Sequence, residues 1–380
     1  DKYLILTFIS LSFILFHVDC LTAKMRDITT MELTREMGIG INIGNTFDAF
    51  GDWIAEYGGK TPKDYITAWG SPMPTKEMIE GYYRVGFRVL RVPVHWFNLM
   101  DDEYNLNKDF VEEVRKVVEW ALNIGLYVIL NIHHDERNLF AGFVTDKKTS
   151  MKNYLKIWTQ IAKEFQDYDD YLVFENLNEE ACWDSIYNHW GPEDEKQKGK
   201  KQALALVSEI NAEFVKLIRS SGGNNPKRHL LLAGYCTNIE DTVDSQFVLP
   251  KDPENKFAVS IHYYSPSTFA ILTEDADWGK AQSTWGTNQE RKELTDNADL
   301  IKEKLIDKGV PVIIGEYGCP DKNKEIDSVR DYLYSVCKTL YDRKMVPILW
   351  DTPGGRYNRE KAEFDDIILH DKLMSIPSSD

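Results

Sequence analysis

The chain has 380 residues, 43% of them hydrophobic, 28% charged and 12% aromatic, a balance that excludes extended disorder and collagen-like repeats. With 61 acidic against 45 basic side chains, its formal net charge of −16 argues against nucleic-acid binding and against polybasic attachment to a membrane. The length accommodates two average domains or one large α/β unit.

In chain order the first distinct segment is LILTFISLSFILF (Leu4–Phe16), too short an apolar run for a comfortable membrane span. It reads as the hydrophobic region of a secretory signal peptide, with Leu21–Ala23 offering a small-residue cleavage site. Its charged lead is thin, only Lys2 beside Asp1, so a signal anchor and a buried apolar helix are the competing readings. Residues 1–23 are therefore expected to be a signal peptide, and 24–380 the single domain of a secreted, extracellular protein. Beyond Cys20 stand Cys182, Cys236, Cys319 and Cys337, an even set in a compartment that permits disulfides. They are too scattered for a zinc site, and their pairing is not readable from spacing. There is no Asn-x-Ser/Thr sequon.

Eight short apolar runs then follow: Gly38–Gly44, Phe87–Val94, Leu126–His134, Tyr171–Glu179, His229–Tyr235, Phe257–Tyr264, Pro311–Gly318 and Met345–Asp351. They are nearly continuous rather than alternating in polarity, as suits parallel strands covered on both faces. Helix-period segments separate them, among them Lys108–Asn123, Met151–Phe165, Ala203–Ser220, Asp296–Lys308 and Asp327–Asp342. Eight strands alternating with helices in one unit predict an α/β fold, a single (β/α)8 TIM barrel. An open doubly wound sheet competes less well, because no Gly-x-Gly-x-x-Gly follows an early strand.

A barrel of this kind carries its chemistry at the C-terminal ends of its strands. Those ends offer Asn42 and Asn45, Arg91 and His95, His133 and His134, Asn178 and Glu179, His262 and Tyr264, Glu316 and Tyr317, Trp350 and Asp351. Strand five alone ends without a charge, on Tyr235. Any single member reads as a satisfied core residue; the whole ring does not. Glu179 and Glu316 end the fourth and seventh strands, across the mouth from one another. Glycoside hydrolysis needs such a pair, about 5–5.5 Å apart for retention and about 6.5–9.5 Å for inversion. Arg91 and Tyr264 are placed to hold a nucleophilic carboxylate ionised, Asn178 to bond a sugar 2-hydroxyl, and Trp350 to stack on a pyranose ring. The rival is a metal held by His133, His134 and His262; it is disfavoured because adjacent strand residues point to opposite faces. No metal and no cofactor is expected.

At these residues the chain resembles glycoside hydrolase family 5, retaining β-glycanases on the (β/α)8 fold, and in particular its fourth-subfamily endoglucanases, which include secreted enzymes of anaerobic rumen fungi and clostridia. The resemblance rests on GINIGNTFDAFG (Gly40–Gly51), AWGSP (Ala68–Pro72), RVPVHW (Arg91–Trp96), ILNIHHD (Ile129–Asp135), FENLNE (Phe174–Glu179), SIHYYSP (Ser260–Pro266), IIGEYG (Ile313–Gly318) and ILWD (Ile348–Asp351), in register. It implies Glu179 as acid/base and Glu316 as nucleophile, with Arg91, His133, Asn178, His262, Tyr264 and Trp350 completing the family's active-site set. It further implies glucose contacts from His134, Asn45, Trp53 and Trp69. Trp183 and Trp190 read equally as leaving-group contacts or loop core, and Trp278 and Trp285 are unranked. The chain departs from the family at Glu180, where Pro or a small apolar residue usually follows the acid/base. Glu180 is expected either to raise the pKa of Glu179 or to sit in a salt bridge. The implied activity is a retaining endo-β-1,4-glucanase acting on cellulose and mixed-linkage β-glucans, with xyloglucan, xylan or mannan as alternative substrates and a non-catalytic carbohydrate-binding barrel as the other class. The expected partner is a β-glucan polysaccharide, with no nucleic acid and no membrane, and with carbohydrate-binding or dockerin modules outside this chain.

Overall fold

The computed structural model of the chain describes residues 24–134, 139–192 and 198–377; the expected signal peptide lies outside them. Eight parallel strands close a barrel in chain order: β1 (Gly40–Asn42), β2 (Val89–Val92), β3 (Tyr127–Asn131), β4 (Leu172–Glu175), β5 (Leu230–Ala233), β6 (Phe257–Tyr263), β7 (Val312–Tyr317) and β8 (Val346–Leu349). Helix α1 (Thr30–Met37) precedes β1. Then α2 (Lys76–Arg84), α3 (Lys108–Asn123), α4 (Lys147–Glu164) and α5 (Lys200–Arg219) follow β1 to β4, and α6 (Asn288–Lys304), α7 (Ile326–Tyr341) and α8 (Ile367–Met374) follow β6 to β8. After β5 come a 3-10 turn, Tyr235–Thr237, and a short helix, Ile239–Thr242.

The strands are shorter than the apolar runs that announced them. The surplus at each C-terminal end forms the barrel mouth, so Glu179 lies in the loop beyond β4 rather than on the strand. Three helices also begin earlier than expected: α6 at Asn288 rather than Asp296, α4 at Lys147 rather than Met151, and α5 at Lys200 rather than Ala203. The start of α6 is set by a capping box in which Thr287 and Glu290 satisfy each other's backbone amides.

Alternation along each strand sorts the residues into two cores. Outward-facing Leu90, Val128, Leu130, Phe174 and Leu232 pack with the helices. Inward-facing Val89, Tyr127, Ile129, Val173, Leu231, Ala258, Ile313, Val346 and Ile348 fill the lower barrel, and Leu33 and Met37 of α1 close its floor. One step up the same inward rows, the side chains turn polar: Arg91, Asn131, Glu175 and Ser260, all fully buried. The functional site stands on this polar layer.

Candidate active site

Arg91 is the hub of that layer. Its Nε donates to Glu175 Oε2 at 2.7 Å, Nη1 to Asn42 Oδ1 at 3.0 Å and to Glu316 Oε1 at 2.8 Å, and Nη2 to Asn178 Oδ1 at 2.8 Å. Burial alone would lower its pKa; Glu175 and Glu316 reverse that and keep it protonated. Because Asn178 spends its oxygen on Arg91, what it can offer a sugar hydroxyl is its Nδ2 amide.

Glu316 reaches the mouth because β7 carries a bulge. Ile261 pairs with Ile314, but His262 pairs with Glu316, so Gly315 is skipped. With Ile313 inward, strict alternation would turn Glu316 outward; the extra residue turns it in. Glycine at 315 leaves room for these groups, since a Cβ would stand a tight 3.1 Å from both His262 Nε2 and Ser260 Oγ. Tyr264 Oη donates to the second nucleophile oxygen, Oε2, at 2.9 Å.

Across the mouth, Glu179 Oε1 lies 2.6 Å from His262 Nδ1, and that nitrogen is 3.7 Å from Glu316 Oε2. Ligand atoms of Glu179, His262 and Glu316 all lie within 4.8 Å of one another, the close carboxylate spacing that suits retention rather than inversion. Burial pushes Glu316 above the ordinary carboxylate range; His262 and Arg91 oppose this, and the Glu179 charge adds to it. Burial would also raise Glu179, but the hydrogen bond and charge of His262, with His134 and Arg91, bring it below its usual range. His262 is itself raised: burial lowers it, and facing Glu316 and Glu179 more than compensates. The short Glu179–His262 contact therefore holds a proton that an ordinary carboxylate–imidazole pair would release at lower pH.

The remaining expected residues gather around this pair. His133 stacks on Trp350 with ring centroids 5.8 Å apart and planes 4° from parallel. Burial first, then His134, Arg91 and His262, holds His133 well below its usual pKa, and burial brings His134 down to about 4, so both are neutral. Their separation to opposite faces, expected for a strand, does not occur. Both lie past the end of β3, His134 has φ 61°, and the two rings meet edge to face at 4.2 Å. The geometry consequently brings ligand atoms of Asp48, His133 and His134 within 4.8 Å, against the argument that had set a histidine cluster aside. Both Asp48 oxygens are engaged by the amides of Asn45 (3.0 Å) and Thr46 (2.7 Å), which hold Asn45 in its left-handed conformation at φ 57°. Trp69 reaches the site through His134, 5.9 Å between rings. Trp53 instead sits 43% exposed against Tyr57. Gly44 lets the Trp350 ring lie against the end of β1, since a Cβ there would stand 2.8 Å from it.

Several roles had no sequence signal strong enough to read. Glu175 looked like part of an apolar strand, yet it is ion-paired to Arg91 and accepts from Ser260 Oγ at 2.8 Å. Glu180 is buried and accepts the amides of His134 and Asn178, both at 2.7 Å, tying the loops after β3 and β4 together. Cys182 is bonded to Cys236, linking the loops after β4 and β5, while Cys319 and Cys337 are free thiols. Trp183 is loop core, its Nε1 donating to Phe140 O, and Trp285 is buried against Tyr332. Trp190 and Trp278 are exposed, at 67% and 59%.

Two cavities form one open groove over the mouth. One, about 620 Å³, is lined by His133, Asn178, Glu179, Tyr264, Glu316 and Trp350; the other, about 540 Å³, by Phe50, Asp52, His95, Asn98, Asp101 and Tyr104. They meet at His134. A parallel eight-stranded barrel with two facing glutamates, one held by Arg and Tyr and the other by His, in an aromatic groove defines the site of a glycoside hydrolase. Residues 47–354 match the family model for cellulase, glycosyl hydrolase family 5, and the chain belongs to that family. Over 330 aligned residues it is 34% identical to endoglucanase A of Clostridium longisporum, covering 86% of this chain and 60% of that protein. Among solved structures, a GH5-4 broad specificity endoglucanase from an uncultured bovine rumen ciliate superposes with a TM-score of 0.81 at 34% identity, covering 93% of this chain and 99% of that one. A family 5 lichenase from Caldicellulosiruptor sp. F32, solved with cellotetraose, gives a TM-score of 0.84 at 28% identity, covering 93% and 96%.

Proposed function

We propose that this chain is a secreted, retaining endo-β-1,4-glucanase that cleaves internal bonds of cellulose and mixed-linkage β-glucans. The observation that carries this reading is the Glu179–His262–Glu316 cluster within 4.8 Å at the bottom of an open groove. In the first step a Glu316 oxygen attacks the anomeric carbon, the glycosidic C–O bond breaks, and the Glu179 proton goes to the departing 4-oxygen. A glycosyl ester on Glu316 remains. Glu179 then takes a proton from water as its oxygen attacks the same carbon, the ester breaks, and the β-configuration is restored. Arg91 and Tyr264 keep Glu316 aimed and ionised. Trp350 and His134 supply apolar and polar surface to successive glucose units, with Trp69 against His134, and an open groove suits attack within a chain.

The test is a mechanism-based label. A 2-deoxy-2-fluoro cellobioside with an activated leaving group should esterify Glu316, read by peptide mass, and Glu316→Gln should lose at least about 10³-fold in kcat on barley β-glucan. Labelling elsewhere, or near wild-type turnover by Glu316→Gln, would sink the mechanism. Initial rates on carboxymethylcellulose, barley β-glucan, xyloglucan, xylan and mannan test the substrate assignment; it fails if either of the last two is the fastest.

A further inference from the structure

We propose that Glu175 is a positioning residue for the nucleophile: acting through Arg91, it anchors the guanidinium from below and remains its counter-ion when Glu316 becomes an ester. This inference rests on Glu316 being the nucleophile. Arg91 is fully buried and touches two carboxylates, Glu175 and Glu316. Attack at the anomeric carbon neutralises Glu316. Were Glu316 the only partner, the intermediate would bury an unpaired guanidinium, an arrangement folded proteins avoid because the ion has lost its water without gaining an anion. Glu175 prevents that. Its Oε2 stays on Arg91 Nε while its Oε1 is held by the Ser260 hydroxyl, and neither contact involves the reacting atoms.

The same arrangement moderates the ground state. A carboxylate facing a cation of its own is a poorer nucleophile than one sharing that cation, since the charge that must move to carbon is held back. The groups facing Glu316 are Arg91 from β2, His262 from β6, Tyr264 just beyond it, and Glu179 from the loop after β4. Those facing Glu175 are Arg91 and Ser260. Removing the Glu175 charge leaves Arg91 facing Glu316 alone, which favours ionised Glu316 and moves the acid limb of the activity profile to lower pH.

The experiment compares wild type, Glu175→Gln, Glu175→Asp and Ser260→Ala. Each is checked for fold by circular dichroism, then assayed for the rate of 2-fluoro-sugar labelling and for the pH profile of kcat/KM. Glu175→Gln should label at least about tenfold more slowly, with its acid limb shifted to lower pH; Glu175→Asp should recover part of both. Ser260→Ala, which keeps both charges, should leave the limb in place. Equal loss of rate in the Gln and Asp variants with an unmoved limb would make Glu175 merely structural and overturn the inference, as would wild-type labelling by Glu175→Gln. If Glu175→Gln does not fold, Glu175→Asp and Ser260→Ala decide: a slower, acid-shifted Asp variant supports the proposal, and an unshifted one overturns it. Labelling of a residue other than Glu316 in wild type would instead fail the functional reading itself.

Discussion

Replacing His262 with Ala separates proton storage from simple packing. In the native site Glu179 Oε1 and His262 Nδ1 are 2.6 Å apart, close enough to share the acid proton, and the two facing glutamates raise His262 above its ordinary value. Without the imidazole only Glu179 can hold that proton. Ordinary His and Glu differ by about two pH units, 6.5 against 4.3, which is about 3 kcal/mol. Burial of Glu179 and the Glu316 charge recover part of the difference, so the basic limb should fall by up to about two units. Above both limbs, a limb lowered by two units costs about 100-fold in kcat/KM. The acid limb should move the other way. His262 now lowers the pKa of Glu316, so deleting it raises an already raised nucleophile. The bell is thus squeezed from both sides, and lowering the pH cannot restore full activity. The assay is kcat/KM on barley β-glucan from pH 3.5 to 9, with melting curves to confirm a folded variant. A profile parallel to wild type, lower by one constant factor, would show that His262 merely packs.

Glu180→Ala strips the acceptor from two amides, those of His134 and Asn178. Urea unfolding should show a loss of about 2–5 kcal/mol while the pH of the basic limb stays fixed; a shifted limb would mean that Glu180 tunes Glu179 directly. Gly44→Ala places a Cβ against the Trp350 ring and the Asp351 carbonyl. It should raise KM for cello-oligosaccharides about threefold to tenfold with less effect on kcat, and an unchanged KM would remove Trp350 from sugar binding.

The barrel was legible because parallel strands covered on both faces leave near-continuous apolar runs, and the ring of polar residues at their ends was legible for the same topological reason. What escaped depended on pairing across the barrel. Glu175 sits in a run whose neighbours Val173 and Phe174 are apolar, and only the inward row shared with Arg91 and Ser260 distinguishes it. The bulge at Gly315 changes no residue type, yet it decides which way Glu316 points. Glu180 and Glu179 are alike in sequence; their difference is that one meets amides and the other an imidazole. The early start of α6 was missed because its first turns are polar and it buries only Leu294, Ala298 and Ile301.

The floor of the barrel bears on where a working polypeptide can begin. Arg26 binds Asp170 through Nε at 2.7 Å, Glu36 through Nη1 at 2.8 Å and Tyr127 through Nη2 at 2.9 Å. Thr30 Oγ1 meets His229 Nδ1 at 2.8 Å, and Leu33 and Met37 seal the interior beneath Ile129 and Val173. Proteolytic maturation after Ala23 would leave every one of these contacts intact. Trimming to Gly38 would remove a stopper whose two apolar side chains contribute about 3–6 kcal/mol by burial, and would admit water beneath the layer that holds Arg91. Arg91 and the segment that carries α1 are thus joined through one column of side chains, the length of the barrel apart.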